Sequence, residues 1–334
     1  MPLVTLARHA MATRFEMVLH GENSVALRAA GEEALEEIDR LEAQLSVFRP
    51  SSEIAHLNAR ASRESVRVTP RLFGLLQRAR ALYEESGGAF DITIAPLVRC
   101  WGFMGGSGRL PTEEEVARTR AVIGMDLVEL RPEDFTVRFL REGVMLDLGA
   151  IGKGYAIEQA AELLRDAGIT NALLHGGTST IQAIGHPADS ESWQIALTSP
   201  DIGFAGLSGI APVKDPDSTP QIGHAAMVPL NDEALSVSAV WGKYFRDDEK
   251  AYGHIIDPRT GRPASQAVMA VVALASATDT DALSTALLTV GPDGHDALVK
   301  SRQSIRTLVI AQTDGQFRHR SKGIEWLNSP TCQS

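Results

Sequence analysis

Between Met145 and Tyr155 the chain reads Met-Leu-Asp-Leu-Gly-Ala-Ile-Gly-Lys-Gly-Tyr. One acid, Asp147, lies in the apolar run Val144–Leu148. Gly149, Gly152, Lys153 and Gly154 follow within six residues. The spacing of Ala156, Ile157, Ala160, Ala161, Leu163 and Leu164 then predicts a helix, stopped by Gly168. Strand, glycine loop and helix start together bring backbone N–H groups up to a phosphate. Lys153 adds a point charge for the same anion. The loop is not a Walker A motif, because Gly154 stands where Ser or Thr must follow the lysine. Nor does it have the Gly-x-Gly-x-x-Gly spacing of a dinucleotide fingerprint. Taken alone, it can equally be a ligand-free β–α turn.

Asp281 and Thr285 stand four apart in a helical pattern, which puts both oxygens on one face. A carboxylate plus a hydroxyl is a hard pair suited to Mg²⁺ and not to zinc. The alternative is a helix cap, with Thr278 at the N-cap and Asp281 three residues later. His254, in Tyr-Gly-His-Ile-Ile-Asp-Pro-Arg-Thr-Gly, precedes a tight turn at Asp257–Gly261 and is either a structural hydrogen bonder or a proton carrier. Asp91 lies just beyond Gly87-Gly88, a pair that ends a helix or admits a ligand close to the backbone. His175 precedes Gly176-Gly177 and suits a packing role.

The elements that must place these residues follow from periodicity. Val4–Leu19 alternates and reads as a strand, turned at Gly21-Glu22-Asn23. Ser24–Phe48 is an amphipathic helix. Ser51-Ser52-Glu53 caps a short helix into Asn58, and Thr69-Pro70 opens another that runs to Ser86. Pro111–Ala121 is a short charged helix, and Leu127–Leu148 reads as two paired strands. Ala172–His175 and Ser179–Ile184 are strands. Pro187–Asn231 is irregular, with one strand at Trp193–Thr198. Val268–Ala275 is an apolar strand, and Thr280–Val290 is a helix closed by Gly291. Thr307–Ala311 and Phe317–His319 form a terminal strand pair. Helices and strands mix without strict alternation, which points to an α+β fold.

A chain of 334 residues that is 44% hydrophobic can bury a large core. Its formal charge of −10 argues against nucleic acid and anionic membrane surfaces as partners. Cys100 and Cys332 make neither a disulfide framework nor a zinc spacing. No run reaches the length of a signal peptide or a membrane span, so the chain as it stands reads as soluble and cytoplasmic. A removed leader would make it periplasmic or membrane-associated.

In order and spacing these segments resemble the ApbE family of FAD:protein FMN transferases, over about residues 8–291. The matching stretches are Met11-Ala-Thr-Arg-Phe, Phe48-Arg-Pro-Ser-Ser-Glu-Ile, Gly87-Gly-Ala-Phe-Asp-Ile-Thr, Pro96-Leu-Val with Trp101-Gly-Phe, and Asp147-Leu-Gly-Ala-Ile-Gly-Lys-Gly-Tyr-Ala. Gly176-Gly177, His254-Ile-Ile-Asp-Pro-Arg-Thr-Gly and Asp281-Ala-Leu-Ser-Thr-Ala complete the series. Three departures are visible. Ala12-Thr13 stands where the family has Gly-Thr, Thr178 where an acid commonly follows the Gly-Gly pair, and Ser238-Ala239 where Ser-Gly is usual.

The resemblance implies mixed sheets of a T-fold-related, ApbE-like kind, with flanking helices and an FAD cleft between subregions. One domain would span 1–291, with an irregular insertion at about 187–231. Residues 292–334 would complete it with strands and a polar tail. It further implies Mg²⁺-dependent transfer of FMN from FAD, as substrate, to a Ser or Thr hydroxyl of an acceptor protein, with release of AMP. Met11 and Phe48 would touch the flavin. Ala89, Phe90 and Asp91 would line the cleft, together with Gly176 and Gly177. Asp147 and Lys153 would hold the nucleotide part. His254, Ile255 and Ile256 would lie beside the flavin and the pyrophosphate. The Ala150 carbonyl, Asp281 and Thr285 would bind the metal, and His254 or Asp257 would take the hydroxyl proton. Two other readings stay open: an FAD pyrophosphatase yielding FMN and AMP, and a flavin-binding protein without turnover. The chain would act as a monomer or homodimer.

Overall fold

The alternation from Val4 to Leu19 folds as a hairpin and not as one strand. In the computed structural model, which describes residues 2–187, 190–198, 224–240, 244–247, 250–313 and 316–326, β1 (Leu3–Ala10) pairs antiparallel with β2 (Thr13–His20), Ala10 opposite Thr13. The two turn residues, Met11 and Ala12, have φ of +50° and +59°. Two positive φ values in a two-residue loop suit the twist of a hairpin. The turn is hidden in the sequence because neither residue is Gly, Asn or Asp, the types that adopt this conformation readily. The expected turn at Gly21–Asn23 is instead the entry to α1 (Ser24–Leu45), whose cap is the Asn23 side chain.

The helix starts behave as their local chemistry dictates. Leu27, Ala34, Leu35, Ile38 and Leu41 form the buried stripe of α1. Ser52 caps α2 (Glu53–Arg60), and after β3 (Val66–Arg67) Thr69 caps α3 (Pro70–Glu85). Next come α4 (Ala95–Cys100) and α5 (Glu113–Arg120), the latter closed by a Thr112/Glu115 capping box. β4 (Val128–Arg131) and β5 (Thr136–Phe139) join β3 in a small three-stranded sheet. Val144–Leu148 is not a strand. The Asn58 side chain accepts from Leu146 N–H at 2.8 Å and donates to Leu146 C=O at 2.9 Å, so a side chain replaces the ladder there.

The second half contains α6 (Gly152–Asp166), β6 (Asn171–Gly176), β7 (Thr180–Ile184), β8 (Trp193–Thr198), β9 (His224–Leu230), β10 (Ala234–Ala239), β11 (Tyr244–Asp247), β12 (Lys250–Gly253), β13 (Ile256–Asp257), β14 (Arg262–Pro263), β15 (Met269–Leu274), α7 (Ala277–Lys300), β16 (Arg306–Thr313) and β17 (Gln316–Lys322). The irregular stretch therefore holds two strands, β8 and β9, paired with each other and not one alone. Its residues 188–189 and 199–223, and Cys332 in the tail, lie outside the described residues. Helix α7 also differs from expectation. It begins at Ser276, whose hydroxyl accepts from Asp279 N–H, so Thr278 is not the cap. Gly291, with φ +65° and ψ −166°, breaks the helical backbone as expected, and a second helical segment starts at once from Pro292, so α7 is two helices joined at a kink.

One sheet organises the fold, with strand order β1-β2-β6-β7-β10-β15-β16-β17 and every neighbour antiparallel. The result is α+β, as expected, and β16–β17 extend the same sheet as β15. Helices α1, α6 and α7 pack together along one face. The β8–β9 pair covers the other through Trp193, Ile195, Leu197, Val228 and Leu230, set against Leu235, Val271, Leu308 and Ile310. Strand β15 lies between both layers, so all six of its residues are apolar and buried. The edge strand β17 is largely exposed and carries Arg318, Arg320 and Lys322. Among the described residues no helix is long and apolar enough to cross a membrane.

The hairpin turn gives a direct stability test. Left-handed backbone costs a non-glycine residue about 1–2 kcal/mol, and glycine's added unfolded-state freedom returns part of that. Ala12→Gly is therefore expected to stabilise the protein by about 0.5–1 kcal/mol, read as a higher urea midpoint at unchanged slope. Ala12→Val, β-branched at the same φ, should lower the midpoint.

Candidate active site

The start of α6 and the start of α7 meet at Gly154. A Cβ placed there would come within 2.1 Å of the Ala277 carbonyl oxygen and 2.7 Å of Asp281 Cβ. Only hydrogen fits, and the two helices approach backbone to backbone. Gly154 N–H then donates to Asp281 Oδ2 at 3.0 Å, in a site where Asp281 is 4% exposed. Thr180 Oγ1 reaches Asp281 Oδ1 at 3.4 Å, and Lys153 Nζ lies 3.7 Å from the same oxygen. Asp281 is thus no capping residue. It is a buried carboxylate turned toward the glycine loop.

The loop supplies the opposing groups. Asp147 Oδ1 accepts from Gly149 N–H at 2.8 Å, and Lys153 Nζ donates to Gly149 C=O at 3.2 Å. The ammonium therefore sits between a loop carbonyl and Asp281, and these oxygens already share one cation. Burial pushes the Asp147 carboxyl up from the ordinary value, against the Gly149 N–H and Lys153, which favour its charged form. Thr285, one turn beyond Asp281 and only partly buried, donates to Asp281 C=O at 3.3 Å and lies 3.3 Å from Ser238 Oγ. Ala150 follows Gly149 and is half-buried.

Carboxylate, hydroxyl and main-chain carbonyl are all oxygen donors, and such a set would fit a hard divalent ion. Among the described residues no group of three or more His, Cys, Asp or Glu could hold a metal. A single-carboxylate site of this kind suits an ion that keeps waters or substrate phosphate as its other ligands.

The other expected site residues fall into three groups. The turn after β6 is pressed on the Met11 hairpin: Gly177 has φ +61°, its N–H donates to Arg14 C=O at 2.8 Å, and a Cβ would stand 2.4 Å from Thr13 Oγ1. This sets Gly176 and Gly177 against Thr13, Arg14 and Phe15 at the start of β2. Asp91 is linked to the loop through the backbone, since Asp147 N–H donates to Ile92 C=O at 2.7 Å. Ala89 and Phe90, each 1% exposed, are core residues that present almost no surface, side chain or main chain, to a ligand. Phe48 is the opposite case, 70% exposed on the α1–α2 connection.

His254 to Asp257 lead into the β13–β14 hairpin, and the ring of His254 meets Phe103 edge-on at 6.5 Å. Asp257 is engaged by Arg259, Oδ1 with Nε and Oδ2 with Nη2, both at 3.0 Å. Arg259 Nη2 also reaches Thr289 C=O at 3.5 Å, which ties this hairpin to α7 one turn beyond Thr285. Ile256 is buried and Ile255 partly buried. A cavity of about 390 Å³, lined by Pro96, Arg99, Cys100, Arg109, Arg118 and Met145 among others, includes none of these expected site residues.

Sequence reasoning missed a hydroxyl seam between β10 and α7. Ser236 pairs with Thr280 and Ser238 with Ser284, each at 2.9 Å. The signal was available: serines two apart on a strand and hydroxyls four apart on a helix each mark one face. Thr180 and Arg259 were missed too, because neither carries a spacing of its own.

Two outcomes follow from this geometry. Gly154→Ala must drive α6 and α7 apart, and overpacking of this kind costs about 1–3 kcal/mol, measurable by urea denaturation. Asp91, 6% exposed, has its carboxyl pushed up to about 6 by burial, although Thr93 N–H and Oγ1 both donate to it. The native state then binds more protons than the unfolded one between about pH 4 and 6, so this group's contribution falls as pH rises through that window. Asp91→Asn should remove the dependence. Its stability relative to wild type should rise by up to about 3 kcal/mol between pH 4 and 7. A pH-independent difference would show that Asp91 does not titrate there.

The profile of the ApbE family matches residues 11–309. An FAD:protein FMN transferase of Vibrio cholerae is 32% identical over 290 residues, covering 84% of this chain and 80% of its own. One from Treponema pallidum is 31% identical over 85% of this chain and 77% of its own. Among solved structures, the ApbE protein of Thermotoga maritima superposes with a TM-score of 0.81 at 26% identity, covering 95% of this chain and 96% of its own.

Proposed function

The chain belongs to the ApbE family, and on that footing we propose that it transfers FMN from FAD to a Ser or Thr hydroxyl of an acceptor protein and releases AMP. The observation that carries this reading is the meeting of Lys153, the glycine loop and the buried Asp281 where α6 approaches α7. A pyrophosphate repels an incoming nucleophile by its negative charge. A site for its transfer therefore needs fixed positive charge and N–H donors more than it needs a nucleophile of its own.

In this reading Asp281, Thr285 and the Ala150 carbonyl hold Mg²⁺. Bound there, the ion would draw charge from the pyrophosphate and stabilise the departing AMP phosphate. Lys153 brings its ammonium to the same phosphates, and Asp147 orders the loop through Gly149 N–H. Phe48 and Met11 take the flavin, and the exposed ring of Phe48 is free to stack on a planar system. Asp91, Gly176, Gly177, Ile255 and Ile256 bound the rest of the cleft. The acceptor hydroxyl oxygen bonds to the phosphorus of the FMN half. The bridging P–O bond breaks, its electron pair leaves with AMP, and the hydroxyl proton passes to the His254 imidazole. Asp257, committed to Arg259, shapes the turn that carries His254.

The test is to incubate the chain with FAD, MgCl₂ and an acceptor domain bearing an exposed Thr, then weigh the acceptor. Transfer adds the mass of one FMN group. Free FMN beside an unmodified acceptor would identify a hydrolase, and unchanged FAD a binding protein. Asp281→Ala should abolish turnover while FAD affinity changes much less. His254→Ala should slow transfer by about 10²–10⁴ with FAD still bound, and a full rate in that variant would remove the imidazole from the mechanism.

A further inference from the structure

Glu158 lies one helical turn beyond Gly154 on α6 and grips the opening turn of α7. Its Oε2 accepts from the Ser276 hydroxyl at 2.6 Å and from Thr278 N–H at 2.8 Å. Ser276 is the N-cap of α7, so the same hydroxyl oxygen that serves the helix, accepting from Asp279 N–H at 3.1 Å, is held by a neighbouring element. Arg78 of α3 locks the arrangement. Its Nη1 is 2.9 Å from Glu158 Oε1, its Nε is 2.7 Å from Asp279 Oδ1, and its Nη2 bonds to Ser276 Oγ. Beyond Asp279 the network continues to Arg302, which pairs with Glu85 at 2.7 and 2.8 Å.

Helix α6 therefore holds α7 at two heights, through Gly154 against Asp281 and through Glu158 against Ser276 and Thr278. A helix fixed at one contact can still swing and turn about it, and a turn of one residue's worth moves a side chain by about 100°. A second contact one turn away, added to the Ser236–Thr280 and Ser238–Ser284 pairs that seat α7 on β10, restricts that freedom further. The placement also suits the charge: a carboxylate at a helix N-terminus meets the positive end of the dipole and satisfies an otherwise orphaned N–H.

We propose that Glu158, backed by Arg78, is a positioning residue for the metal ligands. It sets the rotation and height of α7 so that Asp281 and Thr285 face the glycine loop. This rests on the metal reading given under Proposed function. Glu158 itself does not touch the reacting groups. Its role is that of the outer partners of a metal site, whose loss typically weakens affinity by about 10–100-fold.

The experiment follows Mn²⁺ binding by electron paramagnetic resonance in the full chain saturated with FAD, together with the Mg²⁺ concentration for half-maximal transfer and the melting temperature. Glu158→Gln should weaken Mn²⁺ about tenfold and raise the Mg²⁺ requirement in parallel. Glu85→Gln, which damages only the far arm of the network, should lower the melting temperature yet leave Mn²⁺ affinity within about twofold. Arg78→Lys, which keeps the charge and loses the fork, should fall between wild type and Glu158→Gln, and it serves if Glu158→Gln does not fold. Unchanged Mn²⁺ affinity in Glu158→Gln, or equal weakening in Glu85→Gln, overturns the proposal. A wild-type chain that binds no Mn²⁺ beyond what FAD alone binds overturns the metal reading, and the positioning role with it.

Discussion

The hydrogen bond from Gly154 N–H to the Asp281 carboxylate is the contact on which the rest of the site is built. It exists because the residue at 154 has no side chain, which lets the N-terminal turns of two helices touch. At that contact a carboxylate is taken almost fully out of water. Such burial is tolerated only where donors and positive charge await it, and here Thr180, Lys153 and the first turn of α6 provide them. The sheet beneath supports both helices, α7 on β10 and β15 and α6 on β6 and β7, with α1 packed against α6.

Much of the fold could be read from the residues because local chemistry and global structure agree. Asn23, Ser52, Thr69 and Thr112 each cap the helix that follows. The apolar run of β15 announces a strand buried on both sides. The failures come where tertiary contact overrides local signal. Met11-Ala12 turns without turn residues, because the strands on either side and Gly177 against Thr13 hold it there. Val144–Leu148 has a strand's composition but spends its hydrogen bonds on Asn58 and Ile92. Gly291-Pro292 does stop the helical backbone, and what local signal does not announce is the second helical segment that starts at Pro292.

The site was legible as a set of segments and not as an arrangement. Spacing put Asp281 and Thr285 on one helical face, and the glycine loop beside a lysine. It did not say that the two would meet, because they are 127 residues apart in sequence. Nor could it separate Asp257 from His254 as proton carriers. In the structure Arg259 engages the Asp257 carboxylate bidentately within its own turn. The hydroxyl seam of Ser236, Ser238, Thr280 and Ser284 follows the same logic, since each serine looks like a surface residue until the strand and helix carrying it are laid together.

The cationic side chains along β17 bear on how this molecule can associate. An open sheet edge offers unpaired peptide groups to any extended chain, and guanidinium and ammonium groups on that rim make an identical rim approach at an electrostatic penalty. Arg318, beside Arg320, which is paired with Asp296, and Lys322, which donates to the Arg302 and Gln303 carbonyls, would set like charge against like charge if the eight strands were continued across a twofold axis.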